Sequence, residues 1–122
     1  MRSTTARWIT LTALVGAALS ACGSDDKSAD DKGSEKPVVV QITFKDGEVT
    51  PSGDRIDVET GQEIEFDVTA DEPGEIHVHS EPEEEFEYDA GDKTFTFEID
   101  RPGLVTVESH TYDKVIVQLE VK

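Results

Sequence analysis

The chain has 122 residues but only one cysteine, at position 22, and one methionine, at position 1. No disulfide can form within the chain, so its apolar core must hold the fold together. Basic residues are also scarce, because 11 lysines and arginines stand against 28 aspartates and glutamates, for a formal net charge of −17. The negative electrostatic potential of such a chain repels nucleic acid phosphates, which excludes polynucleotide binding. It attracts cations instead.

The N-terminal segment has the pattern of a bacterial lipoprotein signal. Residues 8–19 form an apolar run of 12 residues behind a short stretch with two arginines. A membrane-spanning helix needs about 20 apolar residues, so the run is too short to span but fits a signal peptide. The letters LSAC at residues 19–22 resemble the lipobox of bacterial lipoproteins. The resemblance implies removal of residues 1–21, lipidation of Cys22, and an extracytoplasmic protein anchored to the cell membrane by that lipid.

Residues 22–36 are predicted to be the lipidated cysteine and a flexible acidic tether. Residues 23–36 read GSDDKSADDKGSEK and contain no aromatic residue and no aliphatic residue larger than alanine. Such a segment buries too little apolar surface to offset the entropy lost on ordering. A coil of this length has a root-mean-square span of about 20 Å, which lifts the rest of the chain off the bilayer. The remaining residues, 37–122, are enough for one small domain.

From residue 37 onward, apolar residues recur at every second position, which is the period of a half-buried β-strand. Residues 63–68 show it clearly, with Ile64, Phe66 and Val68 on one side and acidic residues between them. About seven or eight such segments follow one another at spacings near ten residues, and none has a helical period. The pattern predicts an all-β domain, an antiparallel sandwich or barrel.

The order of these segments resembles the cupredoxin fold, most closely the cupredoxin-like domains of small bacterial lipoproteins. A glycine-bearing turn and an alternating strand at residues 58–66 precede a histidine-bearing strand at residues 75–79. A Pro-Gly turn then opens residues 102–110, which lead to the position of the family's metal-ligand loop, and an apolar strand follows at residues 114–121. The resemblance covers residues 38–122 and implies an antiparallel Greek-key β-sandwich.

The side chains available for metal binding differ from those of blue-copper proteins. A blue-copper site uses two histidines, a cysteine thiolate and often an axial methionine. Cys22 is assigned to the lipid and Met1 to the signal peptide. The stretch that follows the Pro-Gly turn contains Glu108, Ser109 and His110 but no cysteine. Blue-copper electron transfer is therefore excluded, whatever the fold.

The three histidines fall into two short segments. His77 and His79 lie two residues apart, so on a strand they point to the same side. Glu108 and His110 repeat this spacing. If the two strands are neighbours, as the cupredoxin-like fold implies, three imidazoles and one carboxylate meet on the face away from the core. This set suits Cu(II), with Zn(II) or iron as alternatives. The other interpretation is that these are polar side chains on a solvent face that binds no metal.

Residues 81–89 read EPEEEFEYD and form a second acidic feature. Carboxylates of this density suit a hard cation such as Ca(II), but the spacing of a calcium-binding loop is missing. The preferred interpretation is a solvated acidic loop with Phe86 and Tyr88 packed beneath it. On that interpretation, Glu83 and Glu84 contribute little to metal binding.

No nucleophile elbow, phosphate-binding glycine loop or nucleotide fingerprint occurs in the chain, so we expect it not to be an enzyme. The first functional hypothesis is a lipid-anchored domain that binds a divalent metal such as Cu(II) through His77, His79, His110 and Glu108. The second is a metal-free interaction or accessory module of the cell envelope, with an accessory of iron uptake as a further alternative. The predicted partners are the membrane, through the lipid on Cys22, and a metal ion.

Overall fold

The computed structural model describes residues 36–122, which form nine β-strands and no helix. The strands are β1 (Val38–Lys45), β2 (Glu48–Thr50), β3 (Asp54–Val58), β4 (Glu63–Ala70), β5 (Gly74–Val78), β6 (Glu84–Tyr88), β7 (Gly91–Glu98), β8 (Gly103–Ser109) and β9 (Lys114–Val121). The predicted signal segment, the lipidation site Cys22 and all of the tether except Lys36 lie outside the described residues. In the described part, no helix has the length and apolar character needed to cross a membrane.

The strands form two sheets that face each other across a common core. A four-stranded sheet has the order β2-β1-β4-β7, and a five-stranded sheet has the order β3-β9-β8-β5-β6. The predicted all-β sandwich is confirmed. Two of the seven strand pairings, β1 with β4 and β3 with β9, are parallel. The alternation of apolar and polar residues could not predict which strands run parallel, because it indicates only which side of a sheet each residue faces.

The core lies between the sheets and follows the predicted alternation. Ile64 and Phe66 are completely buried and Val68 is 2% exposed, which confirms the inward face of β4. The Phe66 ring packs edge-on against Phe97, with ring centroids 4.9 Å apart. It also contacts Phe86 of the opposite sheet at 6.3 Å, so its burial joins the two layers.

Strand β2 was missed in the sequence because it is only three residues long. It pairs with β1 around a turn at Asp46-Gly47, a dipeptide typical of hairpin turns. Both turn residues have positive φ, 53° and 76°, as hairpin turns that match strand twist require.

The interpretation of residues 81–89 as a loop was wrong, because Glu84–Tyr88 form β6 at the edge of the five-stranded sheet. Phe86 lies opposite Ile76 of β5 and is half-buried, and Tyr88 is buried. Acidic residues have low strand propensity, but at a sheet edge their side chains can face water while alternate residues pack inward. The aromatic residues were thus correctly placed against the core, on a strand and not beneath a loop.

Candidate metal centre

The histidines lie on the outer face of the five-stranded sheet, where β5 runs between β8 and β6. Ile76 and Val78 of β5 are completely buried against the core, so the side chain between them points outward. His77 is that residue. Glu108 of β8 lies directly opposite it on one side and Glu85 of β6 on the other. The sheet register therefore sets an imidazole between two carboxylates.

His77 is the most enclosed member of this face, at 8% exposed. Its Nε2 lies 3.3 Å from Oε2 of Glu83 and 4.0 Å from Oε1 of Glu85. Its Nδ1 is buried and has no hydrogen-bond partner among the described residues. A buried ring nitrogen without a partner is costly, so this side chain is held in place by its surroundings and not by a complete set of hydrogen bonds.

His79 follows β5 directly, and its ring centroid lies 4.3 Å from that of His77. Its backbone N–H donates to the carbonyl of Thr106 at 2.9 Å, which extends the β5–β8 ladder by one residue. The two ring nitrogens face different carboxylates. Nε2 lies 3.0 Å from Oε2 of Glu108, and Nδ1 lies 3.7 Å from Oε1 of Glu83.

His110 joins the face from the turn between β8 and β9. Its ring centroid lies 5.1 Å from that of His77, in an edge-to-face arrangement. Its Nδ1 lies 3.0 Å from Oε1 of Glu75, and its backbone N–H donates to the Glu75 carbonyl at 3.2 Å. His110 is therefore next to His77 but is engaged by a different glutamate from those that contact the other two histidines.

Among the described residues, ligand atoms of His77, His79 and Glu83 lie within 4.8 Å of one another. Metal–ligand bonds to imidazole nitrogen and carboxylate oxygen are about 2.0–2.2 Å long, so two ligands of one ion lie up to about 4.4 Å apart. A small side-chain adjustment would bring these three atoms around one ion. Two imidazoles and a carboxylate suit Cu(II) or Zn(II).

The four residues proposed from the sequence lie on one face, but the structure gives them different surroundings. His77 and His79 belong to the close group, Glu108 contacts His79, and His110 contacts Glu75. Glu83 was missed, because residues 81–89 were interpreted as a loop. The alternation of acidic with aromatic residues at 83–88 was the available signal, since a strand there closes a hairpin with β5 and returns Glu83 to His79.

The residues present do not fit a blue-copper centre. Ser109 is the last residue of β8, directly before the turn that leads to β9. This residue is 1% exposed, and its Oγ accepts a hydrogen bond from the Tyr112 backbone N–H at 3.2 Å. No cysteine or methionine occurs in residues 36–122. The histidine and carboxylate ligands outside the core fit a divalent ion bound without thiolate.

Comparison with known proteins supports the fold. A mutant of amicyanin with Cu(I) is 8% identical, with a TM-score of 0.52 over 74% of this chain and 86% of amicyanin. A multi-copper oxidase from Pseudomonas thermotolerans is 15% identical, with a TM-score of 0.51 over 73% of this chain and 30% of the oxidase. This chain thus spans less than a third of that enzyme. No family model and no characterised protein sequence matches the chain. The similarity shows that the domain has a cupredoxin-like fold.

Proposed function

We propose that the protein is a membrane-anchored, extracytoplasmic lipoprotein whose cupredoxin-like domain binds one divalent transition-metal ion, with Cu(II) preferred. The observation that carries this proposal is the convergence of His77, His79 and Glu83, whose ligand atoms lie within 4.8 Å of one another. The anchor is the lipid on Cys22, and the domain acts by binding and not by catalysis.

The electrostatics of the face support a cation as the ligand. Glu75, Glu85 and Glu108 come from three neighbouring strands and lie beside the histidines, as the contacts above describe. Carboxylates grouped in this way raise the local concentration of cations and accelerate their association. Because His79 and Glu83 are partly exposed, an ion held there would keep coordination positions open to water. Such an ion would exchange readily, as suits capture and release and not a permanently enclosed centre.

The Cu(I) bound by the amicyanin mutant supports the choice of metal only through the fold, because the two proteins need not hold an ion at the same position. The preference for Cu(II) rests on ligand chemistry. For sites with nitrogen and oxygen ligands, affinity rises along the divalent series to Cu(II) and falls at Zn(II). Fe(II) lies lower in that series, so a titration that ranks the three ions also tests the iron alternative.

Titration of the purified protein with Cu(II) tests the metal function. We expect one ion per chain and a weak, broad visible band without intense thiolate charge-transfer absorption. A His77→Ala variant should lose at least about 100-fold in affinity, because changing even a residue behind the ligands commonly costs 10- to 100-fold. Circular dichroism would verify that the variant keeps its β structure. Equal affinity in wild type and a His77→Ala/His79→Ala/His110→Ala variant would reject the site.

Cell fractionation tests the anchor separately. We expect the wild-type protein in the membrane fraction, with lipid label incorporated at Cys22. A Cys22→Ala variant should lose the label and should not be cleaved by the lipoprotein signal peptidase. A fully soluble wild-type protein with an unmodified thiol would reject the anchor and leave the metal function untouched.

A metal-free accessory module is the second candidate, and a specific observation favours it. His79 and His110 each have a glutamate oxygen 3.0 Å from one ring nitrogen, so that nitrogen has a hydrogen-bond partner without a metal. On this hypothesis the face is a polar surface for contact with another protein. The titration separates the two candidates, because a metal-free module would bind Cu(II) no more tightly than the triple histidine variant does.

A further inference from the structure

His79 lies between two carboxylates that contact different nitrogens of its ring. Nε2 is 3.0 Å from Oε2 of Glu108, a hydrogen-bond distance, whereas Nδ1 is 3.7 Å from Oε1 of Glu83. A neutral imidazole has one N–H and one lone pair, and an ionised carboxylate can only accept hydrogen bonds. In the neutral ring the proton therefore belongs on Nε2, and the Nε2–H group donates a hydrogen bond to Glu108. This leaves the lone pair on Nδ1.

The lone pair of Nδ1 then faces the carboxylate of Glu83. Two electron-rich atoms at 3.7 Å repel each other, and a cation between them would turn the repulsion into attraction on both sides. The separation is one that two ligands of a single ion, each about 2.0–2.2 Å from it, can span. In the neutral ring, which is the form that binds metals, the arrangement around His79 thus points to an ion on the Glu83 side and not on the Glu108 side.

The backbone fixes Glu108 in the place that this arrangement needs. Glu108 lies opposite His77 in the β5–β8 ladder, and the His79 backbone N–H bonds to Thr106, so Glu108 is the diagonal neighbour of His79. The β8–β9 ladder has a register shift between Val107 and Glu108, next to this side chain. Bulges of this kind re-aim side chains beside functional sites.

We propose that Glu108 is a positioning residue that holds His79 in the Nε2–H tautomer, so that Nδ1 binds the metal together with His77 and Glu83. This role rests on the proposed metal function and refines the set of ligands inferred from the sequence, in which Glu108 was itself a ligand. A carboxylate behind a metal-bound histidine orients the ring and increases its basicity. Glu108 therefore lies outside the coordination shell, and its removal weakens the site without removing a ligand.

The tautomer can be measured without a metal. In ¹⁵N-labelled, metal-free protein at about pH 8, where a typical imidazole is neutral, the ring-nitrogen shifts of His79 distinguish N–H from lone pair. We expect Nε2–H in the wild type and a mixture of tautomers in Glu108→Ala. Cu(II) affinity should fall about 10- to 100-fold in Glu108→Ala. Glu108→Gln should retain the tautomer and recover part of the affinity, because its amide oxygen still accepts the hydrogen bond.

Glu87→Ala is the matched control, since this exposed β6 residue also faces outward but has no contact with His79 among the described residues. It should change neither the tautomer nor the affinity by more than about twofold. Tight Cu(II) binding with His79 in the Nδ1–H tautomer would overturn the role of Glu108 alone. Equal affinity loss in Glu108→Ala and Glu108→Gln with an unchanged tautomer would also overturn it, because Glu108 would then behave as a ligand. If wild type binds no Cu(II), the metal function fails, and this role fails with it.

Discussion

The outer faces of the two sheets are both polar and acidic, but their side chains are engaged in different ways. On the four-stranded sheet, threonine hydroxyls donate hydrogen bonds to two aspartates. Thr94 donates to Asp67 at 2.9 Å and Thr69 donates to Asp92 at 2.8 Å. These residues line a shallow groove of about 330 Å³. This face, which we call the threonine face, has no histidine.

On the five-stranded sheet, Asp57 and Glu120 pair with lysine or arginine side chains, whereas the acids on and beside β5 have imidazoles as partners, which can also bind metals. We call this the histidine face and define it by His77, His79, His110 and the glutamates that contact them. A threonine hydroxyl donates a hydrogen bond to a carboxylate but is not a strong metal ligand. A neutral imidazole that donates a hydrogen bond from one nitrogen presents a lone pair on the other. The difference shows that acidic density alone does not make a candidate metal site. An enclosed histidine with carboxylates on both sides does. Of four predictions, the first two test the core and strand that support the histidine face, and the last two test this conclusion directly.

The largest expected effect is on the core that both faces share. Phe66→Ala should reduce the free energy of unfolding by about 3–5 kcal/mol, because a completely buried ring between the sheets would leave a cavity. Denaturant titrations of wild type and variant, with circular dichroism as the signal, measure this loss of unfolding free energy. A loss below about 0.5 kcal/mol would place Phe66 on the surface and exchange the inner and outer faces of β4.

The inward face of β4 could be predicted because Ile64, Phe66 and Val68 alternate with acids, and a one-residue shift would expose all three. Strand direction could not be predicted, since it depends on how the chain crosses between sheets. Residues 115–117 illustrate a further limit. Val107 pairs with Val117 and Glu108 with Val115, so Ile116 is an extra residue, and it is completely buried next to Val117. Period two cannot predict such a bulge.

The candidate site was also predictable only in part, namely where residue spacing or the resemblance to a known fold determined it. His77 and His79 share a side by spacing alone, and the neighbouring position of Glu108 followed from the fold that the sequence resembles. Glu83 depends on the closing of the β5–β6 hairpin, which acidic composition concealed. The separate pairing of His110 with Glu75 depends on side-chain conformations in the turn between β8 and β9, which no spacing in the sequence specifies.

The second effect concerns Tyr88, on the inner side of the strand that carries acids of the histidine face. Burial, and to a lesser degree the nearby Tyr112, raise the pKa of Tyr88 to about 12 from its ordinary value of 10. Its hydroxyl is buried near Ser109 and Thr111 but makes no hydrogen bond of good geometry. Because the folded state favours the neutral phenol, its contribution to stability is complete below about pH 10 and is lost as the pH rises to about 12.

A Tyr88→Phe variant isolates this contribution. Between pH 10 and 12, wild type should lose roughly 2–3 kcal/mol more unfolding free energy than the variant, since each pKa unit corresponds to about 1.4 kcal/mol. Near pH 7 the two proteins should differ by about 1 kcal/mol or less, because the hydroxyl makes no hydrogen bond that the substitution would break. The pKa of Lys122 is also raised, by Asp57, but that group titrates in both proteins and cancels in the difference. Parallel pH profiles would show that the Tyr88 phenol is solvated and that β6 does not bury its inner face.

The third effect tests Glu83, which was not among the metal ligands predicted from the sequence. Glu83→Gln should lower Cu(II) affinity by about tenfold, because it replaces an anionic ligand oxygen beside His77 and His79 with an amide. The matched control is Glu84→Gln, which removes the same charge one residue away, from the side of β6 that faces away from the histidines. Competition against a chelator of known affinity measures both. Equal losses in the two variants would mean that Glu83 acts through its charge alone and is not a ligand.

The smallest effect comes from changes on the threonine face. It tests whether the two faces differ in their metal ligands or only in their electrostatic potential. An Asp67→Asn/Asp92→Asn variant removes two negative charges, yet the amide oxygens can still accept the threonine hydrogen bonds, so the fold should be retained. Stacked sheets lie about 10 Å apart and the screening length at physiological salt is about 8 Å, so these charges barely reach the histidine face. Cu(II) affinity should therefore change by less than about twofold at physiological salt, and by more when the salt is diluted. A loss as large as that of Glu83→Gln at the same salt would show that net charge governs binding. The two faces would then be equivalent acidic surfaces, and the histidine cluster would not be a defined site.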